Sequence, residues 1–119
     1  AVCFQSAELL ECIQKDADTK VSELRVDGGA SISKLLLRIQ AEQMQCNIVR
    51  PKNIETTSFG AAALAGLGVG MWNSIEEIGK IWEQDILIEP TEWNKDLERR
   101  RRKWDEAVTR SKEWTRHEL

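Results

Sequence analysis

Histidine is nearly absent from this chain: His117 is the only one, so no Ser/His/Asp triad, Cys/His pair or multi-histidine zinc site can be assembled within it. Cysteine is sparse and odd in number. Cys3, Cys12 and Cys46 have no C-x-x-C spacing, which excludes a disulfide framework or a zinc knuckle and predicts a reducing, cytoplasmic setting. There is no excess of basic charge either, with 17 Lys+Arg against 20 Asp+Glu and a net charge of -3. A global basic field for gripping nucleic acid is therefore missing, and no nucleic-acid partner is expected. Two prolines and seven glycines rule out collagen-like repetition and a fully disordered chain. Long apolar runs are missing as well. The best candidate, Phe59 to Trp72, falls short of the ~20 residues that a bilayer helix needs and is broken by glycines, so it predicts a buried helix and no membrane span. The opening Ala1-Val2-Cys3-Phe4-Gln5 has neither an initiator Met nor a basic n-region, and it reads as the interior of a longer protein without a signal peptide.

What remains is 119 residues, 41% hydrophobic and 31% charged, enough for one domain or part of one. Val2, Leu9, Leu10 and Ile13 share a helical face in the first segment, predicting a helix of roughly four turns at ~3.6 residues per turn. Cys3 and Cys12 point to nearly opposite sides of it and read as small apolar fillers. Leu24-Arg25-Val26 is strand-like and ends at Asp27-Gly28-Gly29, after which Ile32, Leu35, Leu36, Ile39 and Cys46 line a second helix. Asn47-Ile48-Val49-Arg50 reads as another strand stopped by Pro51. A helical crossover of this length joins two parallel strands, so the core is a βαβ unit. Thr56 or Thr57 then caps a third helix rich in small residues, where Gly60 and Gly66 each cost roughly 0.5–1 kcal/mol relative to Ala. A closely packed neighbour or a ligand must use that space. Ser74 to Trp82 predicts a short helix, and Ile86-Leu87-Ile88 is a brief extended run. The tail is a long amphipathic helix, with Trp93, Leu97, Trp104, Ala107, Val108 and Trp114 in one stripe and Arg99 to Arg102 mostly pointing away.

Few of these residues point to chemistry. A glycine turn between a strand's carboxyl end and a helix is where open α/β sheets bind ligands, because the backbone can approach closely and the helix presents free amides. Gly28 and Gly29 are thus candidate ligand contacts, while Asp27 reads as a turn residue. Glu8 and Glu11 read as solvated surface carboxylates with no role. The Trp/Arg tail reads as a docking face for the parent fold, with the arginines in solvent.

Taken in order, Leu24-Arg25-Val26-Asp27-Gly28-Gly29-Ala30, Val49-Arg50-Pro51, Glu55-Thr56-Thr57-Ser58-Phe59-Gly60-Ala61-Ala62 and Leu64-Ala65-Gly66-Leu67 closely resemble the C-terminal part of the glycerol kinases. The resemblance runs from Phe4-Gln5 to the tail with Trp104, Ala107-Val108, Arg110 and Trp114. It implies an α/β fold, the latter half of a ribonuclease-H-like, actin-type ATPase domain, ordered α-β-α-β-α and followed by C-terminal helices. Residues 1–90 would form the end of the nucleotide-binding domain and 91–119 a helix docked on it. The implied activity is transfer of the ATP γ-phosphoryl group to glycerol with Mg2+, usually in a homo-oligomer. The resemblance also implies that the phosphate hairpin, glycerol pocket and catalytic aspartate precede this region, so the chain alone is expected to be inactive and to hold no catalytic or metal-ligating residue. Adenine-nucleotide contacts would fall to Gly28, Gly29 and Ser33. The family usually carries asparagine where this chain has Ser33, and one lost hydrogen bond is worth about 0.5–1.5 kcal/mol. That departure opens two alternatives: a pseudokinase or interaction module working through the Trp/Arg tail, and a kinase for another sugar or polyol.

Overall fold

A computed structural model describes residues 1–112. Its first helix, α1 (Val2–Asp16), buries Cys3, Ala7 and Leu10. That is a narrow stripe of mostly small side chains spaced for one helical face, and it lets α1 lie close against the second helix. Val2, Leu9 and Ile13, which the apolar pattern marks as core, are instead exposed. Cys12 is exposed too, so only Cys3 and Cys46 act as buried fillers.

Strand β1 (Glu23–Arg25) pairs in parallel with β2 (Asn47–Pro51), in the register Glu23↔Asn47, Leu24↔Ile48 and Arg25↔Val49. The crossover between them contains a 3-10 turn, Gly29–Ile32, and then α2 (Lys34–Met44). The predicted βαβ unit is present, but its helix buries Leu37 and Ala41 and leaves Ile32 and Leu35 exposed. The 3-10 turn takes Ile32 out of the helix. It interrupts the helical phase, and α2 begins afresh after Ser33, whose Oγ accepts a hydrogen bond from the Leu36 amide at 3.3 Å. Leu10, Leu37, Ala41, Cys46 and Ile48 form the main core, flanked by Val21, Leu24, Val26, Met44 and Ile88.

The extended run near residue 86 becomes β3 (Gln84–Ile88), antiparallel to β2, and completes the order β1-β2-β3. Between β2 and β3 lie α3 (Thr56–Gly68) and the short α4 (Ile75–Gly79). The N-cap of α3 is Glu55, not Thr56 or Thr57, and it makes no side-chain cap. The Asn53 Oδ1 instead accepts from the Glu55 amide at 3.0 Å, turning the chain into the helix one residue early. At the other end Gly70 has φ 78°, while its amide donates to Leu67 O and the Met71 amide to Gly66 O. This Schellman closure satisfies two terminal carbonyls. The expected burial of this helix is not found: only Ala63 and Gly66 are buried, whereas Leu64, Val69 and Met71 are open. The space at Gly66 is used by Trp72, because a Cβ there would fall 2.2 Å from its Cζ3. At Gly60 a Cβ would meet nothing within 4 Å.

The last helix, α5 (Lys95–Ser111), is capped by Asn94, whose Oδ1 accepts from the amides of Asp96 and Leu97. Leu97 is its buried anchor at 3% exposure. Trp104 stacks on Phe4 with ring centres 5.5 Å apart, and its Nε1–H donates to Glu8 Oε1 at 2.8 Å. Arg101 pairs with Glu11 at 2.6 Å and is only 14% exposed. Glu8 and Glu11 are therefore not idle surface groups, and Arg101 is not a solvated arginine, because these long side chains of α5 reach across to α1. In the predicted stripe Val108 is half-buried, but Trp93 and Ala107 are exposed. Trp114 and His117 lie outside the described residues.

Candidate functional site

The carboxyl end of β1 continues into the glycine turn. The Val26 amide donates to Val49 O at 2.9 Å, and the Gly28 amide to Ile54 O at 2.8 Å, so the turn is tied first to β2 and then to the loop before α3. Gly28 sits at φ 75°, ψ 175°, a backbone region that side-chain-bearing residues rarely enter. Its carbonyl accepts twice from Ser31, from the amide at 3.0 Å and from the hydroxyl at 2.7 Å. Ser31 itself is 3% exposed.

Gly29 differs. It is exposed, has no positive φ, and a Cβ built on it would meet nothing within 4 Å. The chain's own packing therefore does not require glycine there, and the open backbone is available to an approaching ligand. Ser33 is exposed at the start of α2 and spends an oxygen lone pair on capping, while its hydroxyl proton stays free to be donated. The structure thus sets Gly28, Gly29 and Ser33 around one short turn between β1 and α2.

Two adjoining cavities open beside this turn. One of about 250 Å³ is lined by Arg25, Val26, Asp27, Pro51, Thr56 and Trp82. The second, of about 120 Å³, shares Pro51, Thr56 and Trp82 and adds Lys52, Phe59 and Glu83. The Arg25 guanidinium lies 4.4 Å from the centre of the Trp82 ring, a cation–π contact that closes one wall. At the rim, a hydrogen bond to Glu83 holds the Lys52 ammonium above its ordinary pKa. The same bond holds the Glu83 carboxyl below its own. Among the described residues no three His, Cys, Asp or Glu side chains converge in a way that could hold a metal ion.

Arg50 was missed as a site residue by sequence reasoning. Its side chain is 12% exposed; Nη1 donates to Ser31 O at 2.8 Å, and Nε donates to Asp85 Oδ2 at 3.1 Å. The signal was a lone cation inside the apolar strand Asn47-Ile48-Val49-Arg50-Pro51, and what it bonds to depends on β3.

Residues 1–69 match the model of the FGGY family of carbohydrate kinases, C-terminal domain. The chain belongs to the FGGY family of carbohydrate kinases. Curated FGGY relatives include a glycerol kinase of Deinococcus radiodurans, 46% identical over 114 residues, a match that covers 96% of this chain and 23% of that protein. A glycerol kinase of Rhodopirellula baltica is 44% identical over 117 residues, covering 98% of this chain and 22% of its own length. Among solved structures, Plasmodium falciparum glycerol kinase with ADP superposes with a TM-score of 0.77 at 27% identity, over 93% of this chain and 22% of that one. A ligand-bound xylulose kinase from Lactobacillus acidophilus reaches a TM-score of 0.59 over 81% of this chain and 19% of its own, and at 19% identity it speaks for the fold alone. The chain thus spans less than a quarter of the length of the curated relatives it matches. Its α/β architecture is that of the C-terminal part of these actin-like kinases. The antiparallel β3 is an addition to the element order expected from the sequence. No helix among the described residues is long and apolar enough to cross a membrane.

Proposed function

We propose that this chain is the C-terminal, adenine-nucleotide-binding portion of an ATP-dependent glycerol kinase, which transfers the γ-phosphoryl group of ATP to glycerol and is inactive without its remaining portion. The observation that carries this reading is the open Gly29 at the carboxyl end of β1, where the chain's own packing makes no use of the missing side chain. Supporting it are the glycerol kinase relatives over nearly the whole chain and the ADP named with the Plasmodium structure.

In this reading the Gly28–Gly29 backbone meets the nucleotide, and Ser33 faces the adenine with its hydroxyl proton as donor. Serine offers one donor where an asparagine offers two, so the contact is smaller but not lost. In the same reading residues 1–90 close the nucleotide-binding domain, and the segment that follows docks on it through α5 (Lys95–Ser111). Phosphoryl transfer relies on charge stabilisation from both sides of a cleft. In this reading the Mg2+ contacts, the glycerol pocket and the catalytic base are supplied by the rest of the polypeptide, as the resemblance to the glycerol kinases implies. A homo-oligomeric, cytoplasmic enzyme completes the proposal.

The test is Gly29→Val in the complete polypeptide. Its isopropyl group would occupy the open approach without disturbing the fold, so the expected result is loss of Mg-ADP binding by calorimetry with an unchanged melting temperature. Undiminished binding would overturn the nucleotide assignment.

A further inference from the structure

Strand β2 is paired on both sides, by β1 and by β3, and it still carries a guanidinium. A charge at 12% exposure is tolerated only when its donors are met by well-placed acceptors. Arg50 meets that condition through two unrelated segments. Nε and Nη2 both reach Asp85 Oδ2, and Nη1 reaches the carbonyl of Ser31 at 2.8 Å. Asp85 is available because of a local irregularity in the sheet. Arg50 pairs with Ile86 and Pro51 with Gln84, so Asp85 is the extra residue of a bulge in β3. Bulges free a side chain from the strict alternation of a strand and re-aim it.

Beyond Arg50 the connection runs straight to the glycine turn. Ser31 is buried and donates to Gly28 O through both its amide and its hydroxyl. The Ser31 carbonyl is thus held from one side by Arg50 while the same residue fixes Gly28 on the other. The series Asp85, Arg50, Ser31, Gly28 is a continuous set of hydrogen bonds from the sheet's far strand to the turn. Two of its members are charged, and charge-assisted bonds of this kind are stronger and more directional than neutral ones.

We propose that Arg50, oriented by the bulged Asp85, is a positioning residue for the nucleotide: it sets the backbone of the Gly28–Ser33 turn at the height the ligand requires. Arg50 need not touch the nucleotide. The proposal rests on the assignment of that turn to the adenine nucleotide. Lysine cannot replace it fully, because a single ammonium lacks the planar fork that serves the Asp85 carboxylate and the Ser31 carbonyl together.

The experiment uses the complete polypeptide and four variants, Arg50→Gln, Arg50→Lys, Asp85→Asn and Gly29→Val, each measured for Mg-ADP dissociation constant, for kcat, for the KM of ATP and of glycerol, and for melting temperature. Arg50→Gln is expected to weaken ADP binding and raise the KM for ATP about 10-fold or more, the scale of one charge-assisted hydrogen bond. The glycerol KM and kcat should stay within about twofold, since a pre-set binding surface acts on ground and transition states alike. Asp85→Asn should give a smaller change in the same direction, and Arg50→Lys should fall between wild type and Arg50→Gln. If Arg50→Gln does not fold, Asp85→Asn and Arg50→Lys still carry the prediction. Lower melting temperature with ADP affinity and ATP KM unchanged in Asp85→Asn and Arg50→Lys would mean that Arg50 only ties the strands together, and would overturn the proposal. Gly29→Val without effect on ADP would overturn the nucleotide assignment itself; Gly29→Val effective beside inert Arg50 and Asp85 variants would overturn the positioning role alone.

Discussion

Two glycines in one helix should respond with opposite sign to the same substitution. In α3 both Gly60 and Gly66 lie within Thr56–Gly68, and replacing either by alanine removes backbone freedom from the unfolded chain, a gain of about 0.5–1 kcal/mol. At Gly60 nothing lies within 4 Å of the added Cβ, so that gain stands alone. At Gly66 the Cβ would sit 2.2 Å from Trp72 Cζ3 and 2.5 Å from Cε3, against the ~3.5–4.0 Å of an ordinary carbon–carbon contact. An indole cannot bend away like a lysine tip, so its whole ring must shift. Overpacking of this kind costs about 1–3 kcal/mol. Set against the helix gain, Gly66→Ala should destabilise by up to about 2.5 kcal/mol and differ from Gly60→Ala by the overpacking cost alone, about 1–3 kcal/mol. The assay is urea denaturation of the complete polypeptide, comparing midpoints at constant slope. A double variant, Gly66→Ala with Trp72→Ala, should be no less stable than Trp72→Ala alone, because the clash then has no second party. Equal effects of the two alanines, or an additive double variant, would refute the reasoning.

Gln43 is 3% exposed, and neither its Nε2 nor its Oε1 has a hydrogen-bond partner among the described residues. Gln43→Leu, close in volume, should therefore raise the urea midpoint by the equivalent of about 1–3 kcal/mol; a lower midpoint would mean that the carboxamide is bonded in the complete protein. Burial pushes the Cys3 and Cys46 thiols above their ordinary pKa, whereas Cys12 is exposed. Alkylation followed by mass spectrometry should label Cys12 first. Because the folded state keeps these thiol protons longer than the unfolded state, their contribution to stability is complete below the ordinary thiol pKa and falls as pH rises through the native values. Cys46→Ala should flatten that alkaline decline, and an unchanged pH profile would exclude Cys46 as its source.

Much of the framework follows from local pattern. The β1–β2 pair was legible because Leu24-Arg25-Val26 and Asn47-Ile48-Val49 are short apolar runs separated by a helix-length crossover, and parallel strands admit few other connections. The Gly28 turn was legible because only glycine suits φ 75° at a strand end. The motifs that mark the family are contiguous in sequence, so they could be recognised without coordinates. Helix faces were the weakest inference. Ile32 and Leu35 fit a continuous helix, and nothing in their periodicity announces the 3-10 turn that resets its phase. Val2, Leu9 and Ile13 outrank Cys3 and Ala7 in hydrophobicity, yet the smaller residues are buried, because close approach of α1 to α2 rewards small side chains over apolar ones.

What the amino-acid sequence determined by itself is therefore local: strand and helix locations, the glycine turn, and the family. Tertiary structure alone decided which side chains meet across long separations. Trp104 finds Glu8, Arg101 finds Glu11, and Arg50 finds both Ser31 and Asp85. Glu8, Glu11 and Arg101 read as solvated groups in one dimension, because a carboxylate or guanidinium has no preferred partner until packing removes its water. Once the helices and the bulged strand are in place, the Arg50 and Arg101 side chains, 12% and 14% exposed, take these acceptors in place of water.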